Sequence, residues 1–416
     1  MLPTPDTDIN PATAEGAARL LRSTRAIRSR ANALLARARR FESEFFTVND
    51  GALPNTAALV AEVTTARYPD LKIPYHSRWR HFEAGGRDRA ALLDSALGPV
   101  SAAERARAQI DLALVSVLLD AGAGPGWSYL EADSKQAFTR SEGLGVASFH
   151  AFMSGLFSSD PARPLQADAE GLKAVSAVRL GQAFQVNDSN PLVGLEGRTA
   201  LLRRLGRTVQ AQPGIFGSPA RPGGLFDALA ANARQIDAHD ILTLLLTTLS
   251  PIWPAQNAIG AQALGDCWRH PAVEGEGLSH GWMPFHKLSQ WLTYSLLEPF
   301  EWAGITVTGL DGLTGLPEYR NGGLLLDAGV LRLKNEALAT LPARAGDTFI
   351  VEWRALTVAL LDELAPLVRG HLGLTETQMP LACVLEGGTW AAGRVLAQRL
   401  RDGTPPLNIV SDGTVF

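Results

Sequence analysis

Apolar residues recur at helical spacing along most of the chain, whereas the alternation typical of β-strands is scarce. Leu20, Ile27, Leu34 and Phe41 recur every seven positions, which predicts one long helix over residues 14–46. Further helices are predicted over 56–68, 90–122, 226–250, 285–303, 350–369 and 389–402, and short strands near 304–308, 345–351 and the tail. We therefore expect a mainly α-helical fold with a few short strands.

Turn-forming residues are concentrated between positions 158 and 225, in Asp188-Ser189-Asn190-Pro191 and in Arg221-Pro222-Gly223-Gly224. At 416 residues the chain is long enough for more than one core. The predicted organisation is an N-terminal helical region (1–157), a connecting region (158–225) and a catalytic helical region (226–416), which can pack as one domain.

The composition is that of a folded globular protein. Hydrophobic residues make up 46% and charged residues 19%, with a formal net charge of -4. These values argue against nucleic-acid and membrane partners. The eight arginines of the first predicted helix favour a solvated outer face over a polyanion contact. The N-terminus lacks a signal-peptide pattern, so we expect a cytoplasmic protein. The expected partner is a small-molecule substrate. The oligomeric state is left open.

Several common catalytic signatures are missing from the sequence. It contains no GxxxxGK loop, no HExxH, no GxSxG and no GxGxxG after a predicted strand. Cys267 and Cys383 are far apart, and the eight histidines show no ligand spacing, so neither a metal nor another cofactor is expected. Each histidine, including His76 and His81, is interpreted as structural.

Tryptophans, charged residues and glycines lie close together in the C-terminal half. The first clusters surround Trp253, Asp266 and Lys287. The segment 313–323 then combines a proline, the triplet Glu318-Tyr319-Arg320 and the double glycine Gly322-Gly323, a pattern typical of a ligand-binding loop. Because polar groups beside tryptophans must be paired or used, these clusters predict an active site within 251–390.

The predicted helix over 350–369 carries Arg354 on an apolar stripe, so its guanidinium should be buried. A buried guanidinium needs an acidic or phosphate oxygen, and Glu318, Glu386 or an anionic ligand are the predicted partners. Glu352 lies about 160° away around the helix and should meet a different neighbour or a cavity. An internal salt-bridge network and a ligand site are equally compatible with this helix.

Glu386 lies where an apolar run gives way to Gly387-Gly388, at a predicted helix start. In poor solvent its pKa would be raised, unless Arg354 or a helix N-terminus keeps it ionised. The pairs Gly322-Gly323 and Gly387-Gly388 favour a ligand pocket over tight helix packing.

Nine motifs together resemble a family tied to uracil catabolism in fungi and bacteria. They are YHSRWRHF (75–82), NPLVGLEGR (190–198), RPGGLF (221–226), GDCWRHP (265–271), PFHKLSQWL (284–292), LTGLPEYRNGG (313–323), EWRA (352–355), LEGGTWAAG (385–393) and the terminal SDGTVF. The match covers nearly the whole chain. The resemblance implies a place in a pathway that converts uracil to UMP, opens the ring to a ribosylurea-type intermediate and ends in urea.

A fainter resemblance links the chain to queuosine salvage N-glycosidases, which are helical enzymes related in shape to DNA glycosylases. The shared order is Lys-x-x-Gln, Leu-Thr with acid-Tyr-Arg, Glu-x-Arg-Ala and Leu-acid near a tryptophan. Here these positions are Lys287 and Gln290, Leu313-Thr314 with Glu318-Tyr319-Arg320, Glu352-Trp353-Arg354-Ala355, and Leu385-Glu386 with Trp390. The resemblance implies a DNA-glycosylase-like core with extra N-terminal helices. Where that family tends to use aspartate, this chain has glutamates.

The two resemblances together imply a metal-independent N-glycosidase that releases urea from ribosylurea or its 5′-phosphate. Cleaving an N-ribosyl bond needs a carboxylate at the anomeric carbon and a proton donor for the leaving nitrogen. Glu318, Glu386 and Lys287 are the expected catalytic residues. The expected substrate-binding residues are Tyr319, Arg320, Glu352, Arg354, Trp253, Trp390 and Asp266. Lys287, Arg320 or Arg354 would bind a phosphate.

Two other classes of function stay open. A phosphoribosyl-type transferase would suit the uracil context, although its usual phosphoribosyl-diphosphate loop is missing from the sequence. A non-enzymatic partner of the ring-opening enzyme would suit the basic first helix. The run Arg78-Trp79-Arg80-His81 is interpreted either as a lid over the pocket or as a brace between the two halves.

Overall fold

The computed structural model describes residues 9–231, 233–253 and 257–410, and helices dominate it. In chain order they are α1 (Ala14–Leu21), α2 (Thr24–Arg39), α3 (Leu53–Arg67), α4 (Trp79–Phe82), α5 (Arg89–Leu97), α6 (Ala102–Leu118), α7 (Arg140–Met153), α8 (Ala169–Ala174), α9 (Ala177–Ala183), α10 (Leu195–Gln210), α11 (Pro213–Phe216), α12 (Gly224–Ala230), α13 (Ala238–Thr248), α14 (Lys287–Trp302), α15 (Tyr319–Asp327), α16 (Thr348–Leu372), α17 (Leu381–Val384) and α18 (Trp390–Arg401). The mainly α-helical prediction is confirmed. The DNA-glycosylase-like core stays a prediction.

The strands are short and form two-stranded sheets. They are β1 (Phe46–Val48), β2 (Ser128–Leu130), β3 (Ala137–Thr139), β4 (Gln235–Asp237), β5 (Ala258–Ile259), β6 (Gln262–Ala263), β7 (Cys267–Arg269), β8 (Trp282–Pro284), β9 (Thr306–Thr308) and β10 (Leu331–Leu333). The antiparallel pairs are β1–β10, β2–β3, β5–β6 and β7–β8, and β4 runs parallel to β9. None of the described helices is long and apolar enough to cross a membrane.

The described residues divide into two compact units. The first contains the described parts of Met1–His76, Ala255–Gln290 and Gly309–Val410, and the second contains those of Ser77–Pro254 and Trp291–Thr308. The predicted connecting region, 158–225, lies within the second unit and includes the 16-residue helix α10. The predicted three-region organisation stays a prediction.

Helix α16 is the centre of the first unit, where it packs against α2, α3 and α15. Its residues from Phe349 to Leu361 are all buried, because apolar side chains occupy every face of this stretch. Glycine 373 ends the helix in the left-handed conformation, with a φ of 67°. The burial of Arg354, predicted from its apolar stripe, is confirmed at 1% exposure.

The prediction of one helix over 14–46 is wrong, because the helix is interrupted between α1 and α2. The Ser23 hydroxyl accepts a hydrogen bond from the N–H of Ala26 at 3.1 Å and starts a new helix. Helix α2 ends at Arg39, and Phe41, expected in the apolar stripe, is 72% exposed. The prediction of a solvated arginine face is also incomplete, since Arg30 is buried and donates to the carbonyl of Ser279 at 2.9 Å.

Three further elements differ from the predicted pattern. The helix expected over 90–122 is interrupted after α5 by Gly98, whose φ is 64°. The helix expected over 226–250 is divided by β4, which pairs with β9. The strand expected near 345–351 is instead a turn followed by the beginning of α16 at Thr348. The predicted strand in the tail and the motif SDGTVF lie outside the described residues.

Both double glycines serve helix packing, which corrects the ligand-pocket interpretation. A Cβ on Gly322 would lie 2.4 Å from Cζ2 of Trp353, and one on Gly388 would lie 2.4 Å from the carbonyl oxygen of Val60. Distances this short cannot be accommodated without movement of the neighbours. These glycines therefore allow α15 to approach α16 and let the segment after α17 approach α3.

Replacing Gly322 by alanine should destabilise the fold by about 1–3 kcal/mol, because the new methyl group overlaps the buried indole of Trp353. The matched control is Gly370→Ala in α16, where a Cβ meets nothing within 4 Å. Alanine there should stabilise the helix by about 0.5–1 kcal/mol. Urea unfolding of both variants measures the difference. Equal stabilities would contradict the packing role of Gly322.

Candidate active site

A buried ion pair between Asp266 and Arg354 organises the first unit around the predicted site. The two terminal guanidinium nitrogens each donate to one carboxylate oxygen at 2.7 Å. Asp266 also accepts the indole N–H of Trp268 at 2.7 Å and the backbone N–H of Lys287 at 3.0 Å. Burial acts to raise the pKa of Asp266, but the charge and hydrogen bonds of Arg354 outweigh it and hold the pKa at about 2. The pair is therefore ionised.

The same arginine fixes the loop that carries Glu318. Its Nε donates to the carbonyl oxygen of Pro317 at 3.3 Å. Glu318 then caps α15, because its carboxyl oxygens accept the backbone N–H groups of Arg320 and Asn321 at 2.7 and 2.6 Å. The carboxyl group is thus positioned by the anchored carbonyl of Pro317 before it and by the backbone N–H groups of the first turn of α15 after it.

Glu318 lies in surroundings that favour its protonated form. Its side chain is buried, and burial raises its pKa. The two backbone N–H groups and the nearby basic residues Lys287 and His76 offset only part of this rise. Lys287 and His76 therefore lie close enough to Glu318 to act on it electrostatically.

Glu386 has the opposite protonation preference. It belongs to a π-helical turn, Leu385–Thr389, a conformation that is frequent at functional sites. Its carboxylate accepts from Arg67 Nη2 at 2.6 Å, from the Tyr68 hydroxyl at 3.0 Å and from His76 Nδ1 at 2.8 Å. Burial acts to raise the pKa of Glu386, but the hydrogen bonds from His76 and Arg67 and the charge of Arg67 bring it below the ordinary value.

Two predicted pairings are wrong. Arg354 binds Asp266 rather than Glu318 or Glu386, because Asp266 on the β7 loop can accept both guanidinium nitrogens. Glu386 is kept ionised by Arg67 and His76 rather than by Arg354 or a helix N-terminus. The predicted helix start at Glu386 is an internal π-helical turn between α17 and α18.

Glu352 has a separate set of neighbours, as its position around α16 predicts. It accepts hydrogen bonds from the Ser43 hydroxyl and from His270 Nε2, the latter at 3.2 Å. The Ala272 N–H donates to Nδ1 of His270, so the ring's single hydrogen lies on Nε2. Glu352 also lines a cavity of about 440 Å³. Its polar contacts brace α16 and give no support to a role beside Glu318.

The other predicted residues occupy different positions. The Arg320 guanidinium lies 4.9 Å from the ring centroid of Tyr319 and donates to the Gly403 carbonyl at 3.2 Å. The Trp390 ring centroid lies 6.3 Å from that of His76. Trp253 belongs to the second unit, and its role in a urea pocket stays a prediction.

The sequence interpretation missed His76, Arg67 and Tyr68. His76 was interpreted as a structural histidine because its acidic partner, Glu386, is 310 positions away. The motif YHSRWRHF was its only signal. Arg67 and Tyr68 marked the end of a predicted helix and carried no signal of their own. Among the described residues, no cluster of three or more His, Cys, Asp or Glu side chains could hold a metal ion.

Comparison with known proteins places the chain in a family. A family model described as "Protein of unknown function (DUF1688)" matches residues 20–416. The chain belongs to this family. "Protein urg3" of Schizosaccharomyces pombe is 41% identical over 412 residues, covering 97% of this DUF1688 chain and 99% of that protein. "Uracil catabolism protein 4" of Lachancea kluyveri is 40% identical over 377 residues, covering 83% and 85%.

These relatives confirm the resemblance to the uracil-catabolism family that the motifs predict. The fainter likeness of this DUF1688 chain to queuosine salvage N-glycosidases stays a prediction.

In this DUF1688 chain, Asp266→Asn should lower the free energy of unfolding by about 3–5 kcal/mol, because Arg354 loses its buried counter-charge. The matched control is Glu363→Gln, which removes a half-exposed carboxylate that binds Arg39. That change should cost less than about 1 kcal/mol. Chemical denaturation followed by circular dichroism gives both values. A loss at Asp266 no larger than the control would remove its organising role.

Proposed function

We propose that this chain is an enzyme of uracil catabolism that hydrolyses the N-ribosyl bond of ribosylurea or of its 5′-phosphate. The products would be urea and ribose or ribose 5-phosphate. The name of the relative "Uracil catabolism protein 4", 40% identical over 377 residues, supports the pathway. The order of Lys287, Glu318, Glu352 and Glu386, which is similar to that in queuosine salvage N-glycosidases, supports the ribosylurea step within it.

The observation that carries the reaction type is the opposite protonation preference of two buried glutamates. Breaking a glycosidic C–N bond requires a proton for the leaving nitrogen and negative charge near the developing oxocarbenium ion. The raised pKa of Glu318 suits a proton donor, and the lowered pKa of Glu386 suits a permanent negative charge. Two carboxyl groups whose surroundings separate their pKa values are a common mark of an acid and base pair.

The remaining residues suit substrate binding or positioning. Lys287 and Arg320 are the better candidates for a 5′-phosphate, because the guanidinium of Arg354 is already bound to Asp266 and Pro317. Tyr319 and Trp390 are partly exposed aromatic residues that suit contact with the ribosyl or urea group. Asp266 would position Lys287 rather than contact the substrate.

The first test is urea release from synthetic ribosylurea and its 5′-phosphate, with uridine, UMP and queuosine as controls. Glu318→Gln should slow release by about 10²–10⁴-fold, because the amide cannot donate an acidic proton. Glu336→Gln, which changes an exposed glutamate, should leave the rate unchanged. The rate should fall as the pH rises through the raised pKa of Glu318, since only its protonated form is active.

The substrate that reacts would also decide whether a phosphate is required. Urea release by Glu318→Gln at the wild-type rate would exclude the proposed proton donor. No release from any substrate by the wild-type protein would favour the transferase or the non-enzymatic partner. The next assay would then include phosphoribosyl diphosphate and the ring-opening enzyme.

A further inference from the structure

His76 is held rigidly in the first unit, in contact with Glu386 and within electrostatic reach of Glu318. Its backbone N–H donates to the carbonyl oxygen of Ala382 at 3.0 Å, and its ring is 2.8 Å from Glu386 through Nδ1. Only 8% of the residue is exposed. A histidine whose backbone and ring are both fixed presents its second ring nitrogen in one direction.

The contact with Glu386 determines which ring nitrogen carries the hydrogen. An ionised carboxylate only accepts hydrogen bonds, so Nδ1 of His76 must donate to it. In the neutral ring, the lone pair that can take up a proton is then on Nε2. This is the arrangement in which a carboxylate orients a histidine that acts as a general base.

The contacts of Glu386 are those of a positioning residue. Its Oε1 accepts from both Arg67 and Tyr68, and its Oε2 accepts from His76. Both oxygens are thus engaged by protein groups in a π-helical turn that packs against α3. A carboxylate held in this way is less suited to binding ribose hydroxyls than to holding an imidazole ring.

Charged groups surround His76 on several elements. Glu386 contacts the ring from the π-helical turn, and Arg67 reaches that carboxylate from the end of α3. Glu318, at the start of α15, lies within electrostatic reach of His76. Lys287, at the start of α14, lies within electrostatic reach of Glu318. Trp390, at the start of α18, packs its ring near the imidazole with Arg394 5.6 Å from the indole centroid. The ring therefore contacts an ionised glutamate and lies within electrostatic reach of a buried carboxyl group.

We infer that His76 is the general base that activates the attacking water, with Glu386 as its positioning residue and Glu318 as the acid. This inference rests on the proposed function. The water oxygen forms a bond to C1′ of ribose while the C1′–N bond breaks. The water proton moves to Nε2 of His76, and the carboxyl proton of Glu318 moves to the leaving urea nitrogen. Proton transfer from His76 to Glu318 through solvent then restores the starting state.

The main experiment is urea release by His76→Ala with and without added imidazole. We expect a loss of about 10²–10⁴-fold, the usual contribution of a general base. Millimolar imidazole should recover at least tenfold of that loss, because a free base can occupy the space left by the ring. His371→Ala removes an exposed histidine at the end of α16 and should neither lose activity nor respond to imidazole.

A second variant tests the orientation of the base and remains informative even if His76→Ala fails to fold. Glu386→Gln keeps an oxygen that can accept from Nδ1 but removes the negative charge that would stabilise the imidazolium formed when Nε2 takes the water proton. We therefore expect kcat for urea release to fall while KM stays near the wild-type value. A purely structural role for Glu386 would instead raise KM or lower the free energy of unfolding, without this separation of kcat from KM.

The outcomes separate the two proposals. Urea release by the wild-type protein, imidazole rescue of His76→Ala and a fall in kcat at unchanged KM in Glu386→Gln would support the inference. An active wild-type protein would overturn it if His76→Ala kept its rate, or if neither rescue nor a selective fall in kcat occurred. No urea release by the wild-type protein would instead overturn the proposed function, and this inference with it.

Discussion

The ion pair between Asp266 and Arg354 is the interaction on which the arrangement of the first unit depends. A guanidinium buried in α16 is costly unless it is fully paired, and Asp266 satisfies two of its nitrogens at 2.7 Å. The pair joins segments far apart in the sequence, because Asp266 also binds the backbone of Lys287 and Arg354 binds the carbonyl of Pro317. The positions of Lys287 and Glu318 follow from it.

Three buried glutamates of the first unit show how neighbours, rather than residue type, determine chemistry. Glu318 accepts hydrogen bonds from two backbone N–H groups, and burial raises its pKa. Glu386 is bound by Arg67, Tyr68 and His76 and is driven towards ionisation. Glu352 is bound by Ser43 and His270 and braces its helix. Burial alone would make all three alike, so hydrogen-bond partners decide which of them suits catalysis.

Much of the fold followed from local pattern, whereas most of the site did not. Helical periodicity located most long helices and the burial of Arg354, because both depend on spacing along one element. The interruption between α1 and α2 depends on the single hydrogen bond that the Ser23 hydroxyl accepts from Ala26. The helical spacing of the apolar residues continues across it. The pairing of His76 with Glu386 depends on tertiary packing across 310 positions, which no local pattern encodes. The packing role of Gly322 likewise depends on the distant Trp353.

The discontinuous make-up of the first unit has a consequence for its biosynthesis. Helices α2 and α3 end by residue 67, but α16, against which both pack, begins only at Thr348. At typical translation rates of about 5–20 residues per second, the early helices leave the ribosome well before their partner exists. Their apolar faces stay uncovered during that interval. The core of this unit can therefore be completed only after α16 has been synthesised.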